Sequence, residues 1–359
     1  MLKKKKIIAH IHVWDETNKG DLAIVMSTQA LLRKKFSGCR IIDFPIEFLK
    51  EYDSKKITLL NSADLVVIGG GGILYRYFLP FSQKVIEAIK KPIIIFGVGY
   101  IREVGSRALK DFEVKSIVSL MAKSKLIGVR DYYTKQFLLK NGVNSKKINL
   151  IGDPAVLLEE KQVDLKLGEE LKIGLNLNYS GWLGFGLWHD DILGAYRQVA
   201  DYFIKKYNAS IYYLKHHPGE EAIWPQLNIP GMKVIDYSPN EQKYFYGELD
   251  LVIGMMLHVS VMSFGVLTPE INVAYDLRNK NFAKFIGCPE LVINLVDLKK
   301  GVLLKRAKEV VLNKIKYQKK FAVKVRGIRN RQNLFLDQME NFFNSIIFIA
   351  IILISIKSI

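Results

Sequence analysis

The segment from Ser124 to Leu158 reads SKLIGVRDYYTKQFLLKNGVNSKKINLIGDPAVLL. One apolar run ends in Arg130 and Asp131, an amphipathic helical pattern follows, and a second apolar run leads into Gly152-Asp153-Pro154-Ala155. An arginine beside an aspartate at the end of a buried strand is costly unless it is paired or meets an anionic ligand. Because open parallel sheets bind ligands beyond the carboxyl ends of their strands, this segment predicts the rim of a substrate cleft.

Apolar runs of strand length alternate with helical patterns through the first half of the chain, and a second series of the same kind starts near residue 173. This alternation is typical of βαβ units and parallel sheets. The chain has 359 residues, which exceeds the length that one hydrophobic core usually serves. Residues 161–170 are charged at five of ten positions, have few large apolar residues, and separate the two series. We therefore expect an α/β protein with two Rossmann-like domains, residues 1–165 and 171–298, that face each other across a cleft.

The net charge of +18 is concentrated near the end of the sequence. Between Lys299 and Arg331 there are thirteen Lys or Arg residues against one acidic residue, Glu309. Apolar residues recur in this segment at helical spacing, which predicts a basic amphipathic helix within residues 299–341. The apolar positions are Leu303, Leu304, Ala307, Val310, Val311 and Ile315.

A short hydrophobic tail, residues 342–359, follows the basic segment. Its apolar stretch of 15 residues is shorter than the roughly 20 that span a bilayer. One interpretation is that helix and tail hold the protein on the anionic inner face of the cytoplasmic membrane. The other is a solvated helix face and a tail that packs on the body. No recognition module accompanies the charge, so we do not expect a nucleic-acid partner. Two cysteines are too few for a disulfide framework, which favours the cytoplasm.

Two loops at predicted strand ends are suited to anions. Asn18-Lys19-Gly20-Asp21 precedes a helix, where Asp21 can cap the helix and free amides attract negative charge. A capped turn without a ligand is the alternative. Gly69 to Gly72 follow a strand predicted at residues 64–68, and glycines allow backbone amides to approach a ligand closely. Their spacing matches neither the dinucleotide fingerprint nor a Walker loop, so the sequence predicts no nicotinamide or ATP cofactor.

The histidines predict no metal site. His10 and His12 point to one face of a strand, whereas adjacent His216 and His217 point to opposite faces and cannot easily share an ion. His258 follows an apolar strand and is the best candidate for proton transfer or phosphate contact.

Taken in order, these loops resemble the polysaccharide pyruvyl transferase family over roughly residues 7–290. The resemblance implies a GT-B-like pair of Rossmann domains. It also implies transfer of pyruvate from phosphoenolpyruvate to two hydroxyls of a sugar, which forms a ketal and releases phosphate. The matching residues are Asn18, Gly20, Asp21, Gly69 to Gly72, Gly97 to Gly99, Gly128 to Asp131, Thr134, Gly152 to Ala155, Leu257, His258, Tyr275, Asp276, Lys280, Phe282, Phe285 and Gly287.

Phosphoenolpyruvate carries a carboxylate and a phosphate, so its site needs cations and amide donors. Arg130 is our candidate for one anionic group. His258 is our choice as acid or base, with Asp131 or Asp153 in the other role. No cofactor and no metal are expected besides this donor, and the acceptor is a saccharide or lipid-linked saccharide. The predicted substrate-binding residues are Asn18, Gly20, Asp21, Gly71, Gly72, Arg130, Leu257, Tyr275 and Asp276.

The chain departs from the family pattern at one position. The family has Arg-Leu-His where this sequence has Met256-Leu257-His258, and methionine cannot bind a carboxylate or phosphate. Either Lys215 or Arg278 substitutes, or the donor differs, or catalysis has been lost.

Three functions are therefore open. The first is a pyruvyl transferase acting on a cell-envelope or exopolysaccharide precursor. The second is a GT-B glycosyltransferase that uses a nucleotide sugar, with Glu270 placed near a strand start to bind ribose. The third is a catalytically silent glycan-binding or scaffold protein of the same fold.

Overall fold

A computed structural model of the protein describes residues 6–102, 106–178 and 185–357, with side chains at all of these positions except 185, 187, 300 and 346–357. The first half of the chain forms a parallel sheet. Its strands are β1 (Ile7–His12), β2 (Arg40–Pro45), β3 (Leu65–Leu74), β4 (Ile93–Tyr100), β5 (Leu126–Val129) and β6 (Ile148–Leu150), and its helices are α1 (Lys19–Lys35), α2 (Ser54–Ser62), α3 (Gln83–Ala88), α4 (Asp111–Lys123) and α5 (Tyr132–Lys140). The strand order is β2-β1-β3-β4-β5-β6.

The second half forms another parallel sheet of six strands. Its strands are β7 (Lys172–Leu175), β8 (Ser210–Leu214), β9 (Lys233–Ile235), β10 (Leu251–Gly254), β11 (Glu270–Ala274) and β12 (Val292–Asn294), and its helices are α6 (Phe185–Tyr207), α7 (Pro239–Gly247), α8 (Leu257–Gly265) and α9 (Leu277–Phe285). The strand order is β12-β11-β10-β7-β8-β9. The predicted α/β class with two Rossmann-like halves is confirmed. The residue limits proposed for the domains stay a prediction, although the two sheets lie on either side of residues 161–170.

The central strands β3 and β4 are buried along their whole length. Strands covered on both faces need no polar face, so they consist almost entirely of aliphatic residues and glycine. β3 is longer than its predicted 64–68, because Gly69 to Gly72 continue the strand instead of forming a loop after it. Gly69, Gly70 and Gly71 have positive φ values, and the register with β4 shifts between Gly71 and Leu74. This irregularity disturbs the ladder locally without ending the pairing, because Leu74 still pairs with Tyr100.

The basic segment forms two helices, α10 (Val302–Leu312) and α11 (Lys314–Lys357), instead of one. The backbone at Asn313, φ −106° and ψ 20°, interrupts the helical periodicity between them. Leu303, Ala307 and Val310 are buried, whereas Ile315 beyond the break is 66% exposed. The predicted apolar stripe is therefore correct for α10 and wrong at Ile315.

Helix α11 packs on both halves of the molecule. Phe321 and Ile328 join the core of the second half, and Phe335, Met339 and Phe343 join a cluster with β1, β3 and β4 of the first. The helix therefore fastens the two sheets to each other. Among the residues described, no helix combines the length and the apolar character that crossing a bilayer requires.

Candidate functional site

A cavity of about 180 Å³ lies where the two halves meet. The strand order reverses between β1 and β3 in the first sheet and between β7 and β10 in the second. Chains leave these neighbouring strand ends in opposite directions, which opens a crevice at each reversal. The cavity is lined by the end of β3 and by segments that follow β1, β3, β4, β7, β10 and β11. The lining residues are Val13, Asn18, Asp21, Gly72, Tyr75, Phe78, Ile101, Asn178, Met256, Leu257, His258, Tyr275 and Arg278.

Arg130 is held between two aspartates next to this cavity. Its Nη1 lies 3.3 Å from Oδ2 of Asp153, and its Nε lies 3.5 Å from Oδ2 of Asp131. Asp131 also caps α5 by accepting from the Thr134 amide, and Asp153 caps the 3-10 turn at Pro154–Leu157 by accepting from the Ala155 amide. Each aspartate therefore positions the arginine and starts a helical turn at the same time.

The Arg130 guanidinium lies directly against Gly99. A Cβ at position 99 would come within 2.1 Å of Nε and 2.7 Å of Nη2, so only glycine fits there. Nη2 is buried and has no hydrogen-bond partner in the described part of the chain. A buried guanidinium donor without a partner costs free energy unless a ligand accepts from it.

His258 stands in the first turn of α8 and reaches the same aspartate. Its Nε2 lies 4.0 Å from Oδ2 of Asp153, and this nitrogen is also buried with no hydrogen-bond partner among the described residues. Gly20 makes room for the ring, since a Cβ there would come within 2.2 Å of His258 Nδ1. Burial, followed by the charges of Arg130 and Arg278, holds the pKa of His258 well below its usual value. The imidazole is therefore neutral and carries a lone pair on one ring nitrogen.

The start of α8 carries no side-chain cap. Met256 occupies the N-cap position and offers no acceptor to the first amides of the helix. Asn176 fixes the turn by accepting from the Met256 amide at 3.2 Å. Uncapped amides at a helix N-terminus favour an anion, and Met256, Leu257 and His258 all line the cavity.

Asp21 is a titratable group of the cavity wall at the start of α1. Burial, reinforced by the nearby charge of Asp15, raises the pKa of Asp21 to about 6. Asn18 caps this helix, and its Oδ1 accepts from the amides of Gly20 and Asp21 at 3.0 and 3.4 Å. The prediction that Asp21 caps the helix is therefore wrong, because Asn18 is the cap. The Asp21 carboxyl instead faces the cavity and is able to carry a proton near neutral pH.

Arg278 supplies a second guanidinium. Asp276 caps α9 by accepting from the Arg278 amide, and it also accepts from the Arg278 Nε at 2.6 Å. Arg278 Nη2 donates to the Tyr275 hydroxyl at 3.2 Å. Nearby acidic groups, Asp276 first, raise the Arg278 pKa despite the opposing effect of burial. The site therefore contains two arginines and four carboxyl groups, and burial lessens its negative charge by raising the pKa values of Asp153 and Asp21.

A family model provides the deciding comparison. The model of polysaccharide pyruvyl transferases matches residues 18–276. This range includes every residue that lines the cavity except Val13 and Arg278. The chain belongs to the polysaccharide pyruvyl transferase family. A search of curated protein sequences finds no match to it.

Solved structures agree on the fold at low sequence identity. A putative UDP-N-acetylglucosamine 2-epimerase from Listeria monocytogenes is 14% identical with a TM-score of 0.62, covering 95% of this chain and 97% of its own. The UDP-GlcNAc 2-epimerase from Neisseria meningitidis bound to UDP-GlcNAc is 12% identical with a TM-score of 0.57, covering 94% and 100%. An Anabaena protein in complex with UDP and glucose is 10% identical with a TM-score of 0.57, covering 95% and 100%. These pyruvyl transferase halves therefore have the GT-B arrangement.

The structure brings most of the predicted site residues of this family member to one place. Asn18, Asp21, Gly72, Leu257, His258 and Tyr275 line the cavity. The other predicted site residues do not line the cavity themselves. Gly20 accommodates the His258 ring, and Arg130, Asp131, Asp153 and Asp276 form the two arginine clusters described above. Gly71 does not line the cavity, although a Cβ at this position would lie 3.8 Å from Oδ1 of Asp21.

The positions of Lys215 and Glu270 test two further predictions. Lys215 pairs with Glu221 and Asp236 and does not line the cavity, so Arg278 is the cation available in place of the missing arginine. Glu270 is buried in β11, where its Oε2 accepts from the Ser260 hydroxyl, and burial raises its pKa to about 8. The idea that Glu270 binds a ribose is wrong, because its carboxyl lies inside the second half.

Sequence reasoning missed five wall residues: Val13, Tyr75, Phe78, Ile101 and Asn178. Each follows a strand end, but none belongs to a motif that the sequence analysis identified. Ile101 is placed most informatively, because its side chain covers Gly72 and the Arg130 Nη2 lies 3.9 Å from the same Cβ position. Ile101 and the Arg130 guanidinium therefore both lie beside Gly72 in the cavity wall.

Proposed function

We propose that the protein transfers pyruvate from phosphoenolpyruvate to a sugar of a cell-envelope or exopolysaccharide precursor, forming a ketal and releasing phosphate. Membership of the pyruvyl transferase family supports the reaction class. One observation carries the assignment of the site. Arg130 Nη2 and His258 Nε2 are buried without hydrogen-bond partners among the described residues, and both side chains converge on Asp153. An anionic oxygen of the donor would accept from Arg130 Nη2, and a hydroxyl of the acceptor would donate to the lone pair of His258 Nε2.

The donor binds through three kinds of group. The Arg130 guanidinium takes one anionic group, and Arg278 takes the role that the family assigns to the residue at position 256. The uncapped start of α8 contributes backbone amides at the opposite wall. Cations and amides fixed in a site with little water stabilise the charge that develops as phosphate leaves.

The reaction needs one acid and one base, and the products balance. One sugar proton ends on the methylene carbon of the donor, which becomes the methyl group. The other proton ends on the departing phosphate as the carbon–oxygen bond to phosphate breaks. Two new carbon–oxygen bonds to the sugar complete the ketal. Groups whose pKa values are pushed apart are suited to such paired proton transfers.

His258 and Asp21 fit these two roles. The lowered pKa of His258 leaves a neutral imidazole that takes a proton from the sugar hydroxyl. The Asp21 pKa of about 6 leaves a fraction of protonated carboxyl near neutral pH, able to protonate the donor carbon. Asp153 and Asp131 then act as positioning residues that hold Arg130, because their oxygens are engaged by the arginine and by helix caps.

Turnover is the direct test of the proposal. Purified protein is incubated with phosphoenolpyruvate and envelope-type saccharides, including lipid-linked ones, and phosphate release and an acid-labile ketal are measured. We expect turnover in the wild type and a loss of about 10²- to 10⁴-fold in kcat for His258→Asn, the usual range for removing a general base. His189→Asn, at a half-exposed histidine bonded to Asp190 and Gln226, is the matched control and should keep wild-type turnover.

Two outcomes would contradict pyruvyl transfer. Thermal stabilisation by nucleotide diphosphates with no response to phosphoenolpyruvate would indicate a nucleotide-sugar enzyme. Saccharide binding without phosphate release from any acceptor would indicate a catalytically silent relative.

We also propose that α11 and the hydrophobic tail hold the protein on the inner face of the cytoplasmic membrane. Six basic side chains of α11 are exposed to solvent and available to anionic lipid, since none of them is needed to cover the core. They are Lys316, Lys319, Lys324, Arg326, Arg329 and Arg331. The side chains of residues 346–357 and residues 358–359 lie outside the described part of the chain, so this role of the tail comes from its sequence.

Vesicle sedimentation tests the membrane proposal. Vesicles with phosphatidylserine should bind the wild type, and Lys316→Glu with Lys319→Glu should weaken binding at least tenfold, because each basic residue near an anionic surface contributes about 1 kcal/mol. A chain ending at Ser345 should also bind more weakly, yet it keeps Phe343 in its cluster. Lys55→Glu with Lys56→Glu, at exposed positions of α2, is the control. Equal binding by all four proteins would overturn the proposal.

A further inference from the structure

A second polar cluster lies at the edge of the first sheet, apart from the residues that line the cavity. His10 and His12 project from the same face of β1, and Asp43 is the direct cross-strand partner of His10 in β2. One nitrogen of each histidine and one carboxylate oxygen of Asp43 lie within 4.8 Å of one another. His10 and His12 are buried, while the Asp43 side chain is about one-third exposed.

Two backbone carbonyls determine which ring nitrogens carry protons. His10 Nε2 lies 3.0 Å from the Gly69 oxygen, and His12 Nδ1 lies 2.8 Å from the Val13 oxygen. A carbonyl oxygen only accepts, so both of these nitrogens are N–H donors. In neutral rings the remaining nitrogens, His10 Nδ1 and His12 Nε2, carry lone pairs. Metal-binding histidines show this pattern, in which the nitrogen that does not bind metal donates to a carbonyl or carboxylate.

The two lone pairs face a carboxylate. Oδ1 of Asp43 lies 3.1 Å from His12 Nε2 and 3.9 Å from His10 Nδ1. A lone pair directed at a carboxylate oxygen is repulsive, and a cation between them removes the repulsion. Ligand atoms each about 2.1 Å from one tetrahedral ion lie roughly 3.4 Å apart, a spacing that the two distances bracket.

We propose that His10, His12 and Asp43 bind a divalent transition-metal ion of the zinc class. Two imidazoles and one carboxylate form a ligand set that such ions favour. Gln29 is placed to complete it, because its amide donates to Asp43 at 2.6 Å and its Nε2 lies 3.5 Å from His10 Nδ1. Turning the amide over presents Oε1 to the ion. Arg33, which donates to that oxygen, is exposed and free to reorient.

The site is placed to connect the sheet edge to the catalytic cleft. A cavity of about 170 Å³ beside it is lined by His12, Gln29 and Asp43 together with residues of the loop after β1. Val13 of the same loop lines the proposed donor cavity. A bound ion fastens the edge strand β2 to β1 and fixes the loop that leads to Asn18 and Asp21.

Metal binding by the full chain tests this proposal. The chelated and dialysed protein is titrated with Zn²⁺ by equilibrium dialysis, and Co²⁺ is the spectroscopic probe of coordination by histidine. We expect one equivalent of either ion in the wild type. Asp43→Asn and His12→Gln should each weaken Zn²⁺ binding at least tenfold, the effect that removal of even an outer partner of a metal ligand produces. His189→Gln, which changes a half-exposed histidine elsewhere, should bind as the wild type does.

The variants also distinguish a lost ligand from a lost fold. Asp43→Asn keeps the acceptor for Gln29 and changes a partly exposed side chain, so its melting temperature without metal should stay near that of the wild type. Zn²⁺ should raise the melting temperature of the wild type more than that of Asp43→Asn. Fewer than half an equivalent of bound ion in the wild type would overturn the proposal. So would equal binding by wild type, Asp43→Asn and His12→Gln.

Discussion

Arg130→Lys is expected to lower kcat for phosphoenolpyruvate turnover by roughly 10²- to 10³-fold while the protein stays folded. That is the range found when one preorganised donor to a developing charge is removed. Lysine keeps a positive charge between Asp131 and Asp153, but it cannot present Nη2 and Nη1 in the fixed fork of a guanidinium. The measurement is a comparison of kcat, KM and melting temperature with those of the wild type.

A second substitution at the same residue separates its two roles. Arg130→Met leaves Asp153 and Asp131 without their cation in a site where Arg130 and Asp153 are each only 3% exposed. Breaking a buried pair in this way costs about 3–5 kcal/mol of stability, so this variant should lose both activity and folding free energy. Arg107→Lys, at an arginine that is 45% exposed and pairs with Glu113, is the control and should change neither by much, because lysine keeps the charge of that pair. Wild-type kcat in Arg130→Lys would show that Nη2 is not used by the substrate.

Arg278→Gln is expected to raise KM for phosphoenolpyruvate by about 10²-fold, with a smaller effect on kcat. The physical reason is that Arg278 holds a charge that the donor carries both before and during the reaction, so its loss weakens ground-state and transition-state binding alike. Steady-state kinetics with varied phosphoenolpyruvate measure the effect. Arg40→Gln, at an exposed position at the start of β2, is the matched control.

Restoring activity to Arg278→Gln with an arginine at position 256 tests whether Arg278 binds the donor. Met256 lines the same cavity as Arg278, so an arginine introduced there reaches the same ligand. We expect the double variant Met256→Arg with Arg278→Gln to have a kcat/KM at least tenfold higher than that of Arg278→Gln alone. A purely structural role for Arg278, through its contact with buried Asp276, would give no rescue. Unchanged KM in Arg278→Gln would show that another group replaces the arginine of the family pattern.

The predictions for Arg130 and Arg278 depend on the same property of the site, the pairing of each arginine with aspartates. Its arginines are each bound to at least one aspartate, so the site gains little net positive charge from them. The site would therefore bind an anion through individual hydrogen-bond donors and not through a net positive electrostatic potential. The raised pKa values of Asp153 and Asp21 work in the same direction, because a proton on either carboxyl removes repulsion from a donor that carries a carboxylate and a phosphate.

Several features of the site could be predicted from the sequence because they depend on position along a strand. Arg130, Asp131 and His258 follow apolar runs, and parallel strands place their carboxyl ends at one edge of a sheet. The alternation of strand and helix patterns predicted two parallel sheets for the same reason. The order of the loops was sufficient to indicate the family. These inferences need only the local periodicity of the chain.

Other features required distances between residues far apart in the sequence. The glycines of β3 were expected to form a loop, but pairing with β4 keeps them in the strand. Glu270 was expected near a ligand, but its side chain points into the second half and meets Ser260. Asp43 was not linked to His10 and His12, because only the pairing of β1 with β2 makes them neighbours.

The amino-acid sequence by itself determined the two-sheet α/β fold, the family and the candidate residues at strand ends, since each of these follows from hydrophobic periodicity and loop order. The tertiary structure alone decided that Arg278 and Met256 share one cavity, that Asp153 lies within 4.0 Å of both Arg130 and His258, and that burial raises the pKa of Asp21 to about 6. Those facts depend on how closely two halves pack and how much water they exclude, and burial and electrostatic distance are properties of the folded chain.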